Sequence, residues 1–231
     1  MKSKKNFYLK IAVLLFLGFF ICALGMILMI YANLGADPWS TFQKGLSDTT
    51  GISIGKISQI VGLIIIIINI SLKIVPGIAT VLNMYFIGFF MDIIENTGII
   101  TIPSTFLVRI FFLLLGMLLF NGGIWIYLQN GLGAGPRDGL MLGLTKKLNL
   151  SITIIKTSIE VTVLVIGVLL GGPLGIGTVT AALGGGYLLD KIFQIAKFDS
   201  KNTYQRTFMD EWESIKKVLK KEKIQGKQQQ L

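Results

Sequence analysis

The chain has no histidine and a single cysteine, and only 15% of its 231 residues are charged. Without histidine there is no imidazole to act as a base and no His-ligated metal site. Cys22 has no partner in the chain, so no internal disulfide can form. A soluble domain carries about 25% charged residues, and stretches such as 60–70 here carry none. No P-loop, nucleophile elbow, metal-ligand cluster or G-x-G-x-x-G following a strand occurs, so neither an enzyme nor a cofactor is expected. Gly184-Gly185-Gly186 falls in an apolar run, where a packing or hinge element is expected rather than a phosphate loop.

Apolar residues make up 52% of the chain. They gather into windows of about 20 residues, long enough to cross a hydrocarbon core of roughly 30 Å. The composition therefore predicts an all-α polytopic membrane protein. The net charge of +10 does not point to nucleic acid, because the Lys and Arg sit at helix ends and in the tails. The start, Met1-Lys2-Ser3-Lys4-Lys5, imitates a signal peptide. The apolar run from Leu9 to about Tyr31 is too long for one and is closed by no A-x-A-like site, so it is expected to be retained.

Six spans are predicted, at roughly Leu9–Ala32, Ser53–Leu72, Gly77–Ile94, Phe106–Leu128, Ser151–Leu170 and Gly175–Ile195. One phrase is written twice among them: Leu34-Gly35-Ala36-Asp37-Pro38 and Leu132-Gly133-Ala134-Gly135-Pro136, 98 positions apart. At that offset residues 9–94 match 107–192 without a gap at 23 of 86 positions. The informative identities are Gly, Pro and polar residues: Gly18/Gly116, Gly25/Gly123, Pro38/Pro136, Gly45/Gly143, Ser53/Ser151, Gly77/Gly175, Thr80/Thr178, Gly88/Gly186 and Asp92/Asp190. Gly and Pro mark backbone geometry, so the two halves are expected to share a path. Each half holds three spans, and an odd number makes the second enter from the opposite side, an inverted-topology repeat.

The charges agree with this organisation. Lys2, Lys4, Lys5, Lys10, Lys73, Arg137, Lys146, Lys147, Lys191 and Lys197 share one side if both termini are cytoplasmic. Arg109 departs from the pattern, and snorkelling to the interface accounts for it. Three units follow: residues 1–98, residues 99–196 and a basic tail, 197–231. In the tail Phe208, Trp212, Ile215 and Leu219 recur at helical spacing among lysines. That pattern predicts an amphipathic cytoplasmic helix on anionic lipid, or one that docks a cytoplasmic partner.

Each repeated phrase opens a short helix. Pro38 and Pro136 suit the first helical position, where the missing N–H is unpaired anyway. Asp37 is a favoured N-cap, and Gly135 an acceptable one. The segments 35–51 and 133–149 are either half-helices dipping towards the membrane midplane or interfacial helices lying flat. In the first case they frame a solute site, because broken helices turn N–H groups and dipole ends into a protein interior. Asp37 closes off the first helix start, beside Trp39. Gly135 leaves the second open to an anion, with Arg137 two residues on and Asp138 competing.

Lys156 and Glu160 lie one turn apart on the fifth span, with Glu160 near its centre. A charge there is costly and needs a partner, as a substrate or proton site or as a structural ion pair. Asp92 and Asp190, the matched acids, are expected to be interface anchors or paired gates. Asn83, Thr80 and Thr178 are expected either to line a cavity or to bond backbone and neighbouring helices.

At these residues the chain resembles the YczE/YyaS/YitT group, closest to the YczE branch. The shared phrases are Gly35-Ala36-Asp37-Pro38-Trp39, Gly133 through Met141, Ile159-Glu160-Val161 and Gly175-Ile176-Gly177-Thr178. The resemblance implies a bacterial integral inner-membrane protein and lends weight to Arg137, Asp138 and Glu160. Together with the residue reading, it leads to a carrier-like protein for a polar or anionic small solute. The alternatives are a membrane scaffold acting through its tail and an hourglass channel.

Overall fold

A computed structural model of the chain describes residues 2–150, 152–198, 203–210, 212, 213 and 216. Among them the regular structure is helical. The elements are α1 (Lys2–Tyr31), α2 (Pro38–Thr50), α3 (Ile54–Ser71), α4 (Ile78–Asn96), α5 (Phe106–Leu128), α6 (Pro136–Leu148), α7 (Ile152–Leu169) and α8 (Ile176–Ile195). Four helices among the described residues are long and apolar enough to cross a membrane: Leu9–Tyr31 within α1, then α3, α4 and α5. Their outer faces stay apolar. On α3, Ile60, Leu63, Ile64 and Ile67 are exposed while Ile57, Val61 and Ile65 are buried. A helix whose outer face is as apolar as its inner one suits lipid as the solvent.

α1 is the central helix, apolar on every side. Phe19, Met26, Ile27 and Met29 are fully buried against α4 and α5. α1 and α5 cross at glycines. A Cβ on Gly25 would sit 2.6 Å from the Gly116 carbonyl, and one on Gly123 2.7 Å from that of Gly18. The Cys22 thiol points at the Phe120 carbonyl, 3.5 Å away.

Matched positions make matched contacts at the 98-residue offset. The Gly177 N–H donates to the Leu34 carbonyl at 2.7 Å, and the Ala79 N–H to the Leu132 carbonyl at 2.9 Å. Gly35 lies against Gly175 and Gly133 against Gly77. Gly35 (φ +92°) and Gly133 (φ +119°) share a left-handed backbone, which a side chain would strain. Asn33/Gly131, Gly51/Asn149 and Lys73/Gly171 also pair as positive-φ positions.

Local chemistry fixes the ends. The Asp37 carboxylate accepts from the Ser40 N–H at 3.2 Å and caps α2, with Pro38 next in line. α6 starts at Gly135 and Pro136 with no side-chain cap. Thr80 and Thr178 reach back to accept from the Gly77 and Gly175 N–H groups at 3.0 and 3.3 Å.

The halves also differ in how their last two helices pack. α3 lies tightly on α4: a Cβ on Gly55 would come within 2.0 Å of the Gly88 carbonyl. α7 and α8, their counterparts, scarcely touch among the described residues. The sequence places Thr153 opposite the Gly55 position.

Residues 204–208 are strapped onto two loops. The Phe208 N–H donates to the Pro76 carbonyl, the Arg206 N–H to that of Gly131, and the Gly133 N–H to Gln205 Oε1 at 3.2 Å. A reciprocal cap then starts a helix: the Thr207 N–H and hydroxyl donate to Asp210, which holds that carboxyl below its usual range. Ile215, Leu219 and most of the basic tail lie outside the described residues, as do Ser151 and the side chain of Lys146. Arg109 donates through Nε to the Pro103 carbonyl at 2.8 Å.

Candidate functional site

The two helix starts meet. α2 and α6 bring their N-termini to one cavity of about 200 Å³ between α1, α3, α4, α5, α7 and α8. This is smaller than the roughly 300–1,000 Å³ of pockets for drug-sized ligands. A space of this size admits only a small molecule.

Seven residues picked out by charge and phrase line this one cavity: Asp37, Trp39, Gly135, Arg137, Asp138, Lys156 and Glu160. Pro38 and Pro136 line it too. The Arg137 guanidinium lies 4.8 Å from the centre of the Trp39 ring, a cation–π contact. Trp39 and Arg137 occupy the same place in the two phrases, so the phrases touch at equivalent residues. Lys156 Nζ is 3.8 Å from Glu160 Oε1 across one turn of α7. Their side chains remain 45% and 27% exposed, so the pair is open to the cavity rather than sealed in packing. A second small pocket of about 50 Å³ continues the site between Trp39, Arg137, Met141 and Ile159.

Asp92 and Asp190 lie elsewhere. Asp92 accepts from the Ser53 hydroxyl and the Gly55 N–H, both at 2.8 Å, and so ties α4 to the start of α3. Asp190 is exposed on α8. Thr80 also leaves the cavity. Its hydroxyl donates to the Ala134 carbonyl at 2.7 Å, behind the second phrase. Asn83 does line the cavity, and is 8% exposed.

Other lining groups carry no signal in the motifs. Tyr127 and Asn121 come from α5, and Met26, Met29 and Met117 from the α1–α5 contact. An amide inside an apolar span marks Asn121, whose repeat counterpart is Ala23. Nothing marks the methionines, which read as ordinary core. Gly185 and Gly186 leave space where α8 passes the site; a Cβ on Gly185 would meet nothing within 4 Å.

Residues 9–194 match the family of unknown function DUF6198. The chain belongs to this family. Its relatives include an uncharacterized protein of Haemophilus influenzae, 37% identical over 76% of this chain and 79% of the relative. A second is the uncharacterized membrane protein YczE of Bacillus subtilis, 35% identical over 75% of this chain and 81% of the relative. A third is the uncharacterized protein YyaS of the same organism, 28% identical over 80% and 94%. No solved structure matches the chain. The match covers both phrases, the Lys156–Glu160 pair and every lining residue of the cavity, and leaves the tail outside. The expected YczE relationship thus holds, and with it a membrane protein built of apolar helices.

Proposed function

We propose that the protein is a small carrier in a bacterial plasma membrane that moves a polar or anionic solute through the central cavity. One observation carries this reading: two broken-helix starts and a charged pair meet at one cavity. Non-helical backbone at membrane depth is tolerated where it lines such a cavity, and repeat interfaces are where transporter sites form. In this reading α7 and α8 complete six spans, residues 1–98 and 99–196 are inverted halves, and both termini are cytoplasmic. The matched hydrogen bonds Gly177–Leu34 and Ala79–Leu132 support the inverted halves, because a two-fold axis turns each into the other. It assigns the protein no catalytic chemistry. Saturable exchange of a labelled solute by purified protein in proteoliposomes is the direct test; a linear, unsaturable flux would refute a carrier.

The topology has its own test. Thr50 and Leu148 are exposed repeat counterparts at the ends of α2 and α6. In a chain with Cys22 replaced by Ala, Thr50→Cys should label from outside and Leu148→Cys from the cytoplasm. Labelling from the same side would sink the inverted repeat. Trp39 and Arg137 are unsuited to this test, because both face the shared cavity.

In the same reading Asp92 and Asp190 are paired gates. Asp92 holds α3 on α4 at the outer end, while α7 and α8 pack less closely among the described residues, which favours access from the inner side. Asp92→Asn keeps an acceptor for the Gly55 N–H but loses the one for Ser53 and the charge at the α3 start. Such a cap is worth about 1 kcal/mol, and the outer end should open about fivefold more often. Ser58 on α3 lines the cavity. A Ser58→Cys reporter should therefore label faster from outside in the Asp92→Asn background and unchanged in Asp190→Asn. Equal rates in all three would dismiss the Asp92 gate.

An hourglass channel is the second reading, favoured by the Trp39–Arg137 contact where the phrases meet. The tight α3–α4 contact argues for the carrier, since it closes one end.

A further inference from the structure

The cavity's charges identify the kind of solute. Its wall holds two cations, Arg137 and Lys156, and three carboxylates, Asp37, Asp138 and Glu160. Lys156 and Glu160 answer each other. Arg137 makes no salt bridge among the described residues and only stacks on Trp39. Asp37 gives one oxygen to the Ser40 N–H, and its Oδ1 is buried without a hydrogen-bond partner. Asp37 lies within electrostatic reach of both Arg137 and Glu160. The Arg137 guanidinium and one Asp37 oxygen thus lie near each other, each without a hydrogen-bond partner among the described residues. Buried charges need hydrogen-bonded partners.

A bare anion answers Arg137 but adds to three carboxylates, one of which, Asp138, stands beside the helix start. Asp138 Oδ2 lies 3.3 Å from where a Gly135 Cβ would be. A bare cation answers Asp37 and leaves the Arg137 donors without a hydrogen-bond acceptor among the described residues. A solute carrying both charges a few bonds apart answers both. Asn83 strengthens this. It is 8% exposed, lines the cavity, and has no hydrogen-bond partner among the described residues; its Oδ1 lies 3.6 Å from the same Gly135 Cβ position. The rest of the wall is apolar and adaptable: Met26, Met29, Met117, Phe120 and Ile124.

We propose that the cavity takes a small zwitterion with an apolar side group, the chemistry of a neutral α-amino acid. Its carboxylate meets Arg137 and Asn83 at the α6 start. Its ammonium lies between Asp37 and Glu160, reaching Asp37 Oδ1 by a turn of that carboxylate. Its side group packs on the methionine wall. The volume of about 200 Å³ suits a side group up to the size of an aromatic ring. This rests on the carrier reading for the identity of the site, though binding does not require transport.

The test is binding to the full chain in lipid nanodiscs at pH 7. The probes are L-alanine, L-leucine, L-methionine and L-phenylalanine, with 4-methylpentanoate and 3-methylbutylamine as leucine analogues lacking one charge. At least one amino acid should bind, and each single-charge analogue should bind about tenfold or more weakly than leucine, since an unanswered buried charge is costly. Arg137→Gln should abolish the preference over the amine, and Glu160→Gln should shrink that over the carboxylate. Gly122→Ala, a change into open space, serves as a folding control. Binding of 4-methylpentanoate as tight as leucine, or no amino-acid binding at all, would overturn the zwitterion. Anion exchange in proteoliposomes without amino-acid binding would overturn it while leaving the carrier standing. Amino-acid binding without exchange of any solute would uphold the zwitterion and refute the carrier.

Discussion

Glu160→Gln should reduce solute exchange in proteoliposomes by more than about tenfold while the protein still folds and reaches the membrane. The substitution keeps the side chain's size and hydrogen-bonding reach and removes only its charge. Glu160 lines the cavity with its side chain 27% exposed, 3.8 Å from Lys156, so charge rather than packing is its main contribution. Removing the charge has two consequences. Lys156 loses the partner that answers it beside the cavity, and the site loses one of the two carboxylates facing the solute. Each pK unit or factor of ten in affinity corresponds to about 1.4 kcal/mol, within reach of one charged hydrogen bond in a low-dielectric site. A structural ion pair predicts a different pattern: reduced thermal stability with exchange per folded molecule intact. Exchange normalised to monodisperse protein separates the two. The double variant Lys156→Gln, Glu160→Gln refines the test, since restored stability without restored exchange is the signature of a functional carboxylate.

Gly25→Val should prevent stable assembly altogether. The Gly25 Cβ position lies 2.5 Å from the Phe120 N and 2.6 Å from the Gly116 carbonyl, and both are backbone atoms that no rotamer change can move. α1 and α5 would have to separate along the most extensive helix contact among the described residues, opening the buried layer of Phe19, Met26 and Met29. Overpacking usually costs about 1–3 kcal/mol where side chains can adjust; here helices must part, so the loss should exceed that range. Gly116→Val should behave alike, because a Cβ there meets the Gly25 carbonyl at 2.7 Å. Gly122→Val, on the same helix with nothing within 4 Å, should be tolerated. Thermal aggregation in detergent and the yield of monodisperse protein are the measurements. Survival of Gly25→Val with wild-type stability would mean that the α1–α5 crossing is not the core of the fold.

The helices and their starts were legible because each rests on local chemistry. Apolar length defines the spans. Asp37, Pro38 and Pro136 set the helix starts, and Gly35 and Gly133 take a backbone that side chains disfavour. The 98-residue offset likewise announced which residues share a path. It also pointed to the cavity, since charges that a membrane cannot hold alone had to gather somewhere, and Asp37, Arg137 and Glu160 are among them. The lining from α1 and α5 was not legible. Met26, Met29 and Met117 have the identity of core residues, and only the approach of other helices turns their side chains into a cavity wall. Thr80 shows the same limit. Its hydroxyl had two uses, and the backbone at Ala134 took it.

By itself the sequence determined a helical membrane protein written twice, with two broken-helix phrases and an unequal set of charges between them. Tertiary structure alone decided that Trp39 and Arg137, equivalent in the repeat, stack on each other at one cavity. It also decided that the matched acids part company, Asp92 tied to α3 and Asp190 exposed. The physical reason is that a repeat fixes what each half can do locally, whereas two equal halves need not pack equally. Close packing at Gly55 and Gly88 is a relation between helices, and the same halves left α7 and α8 apart.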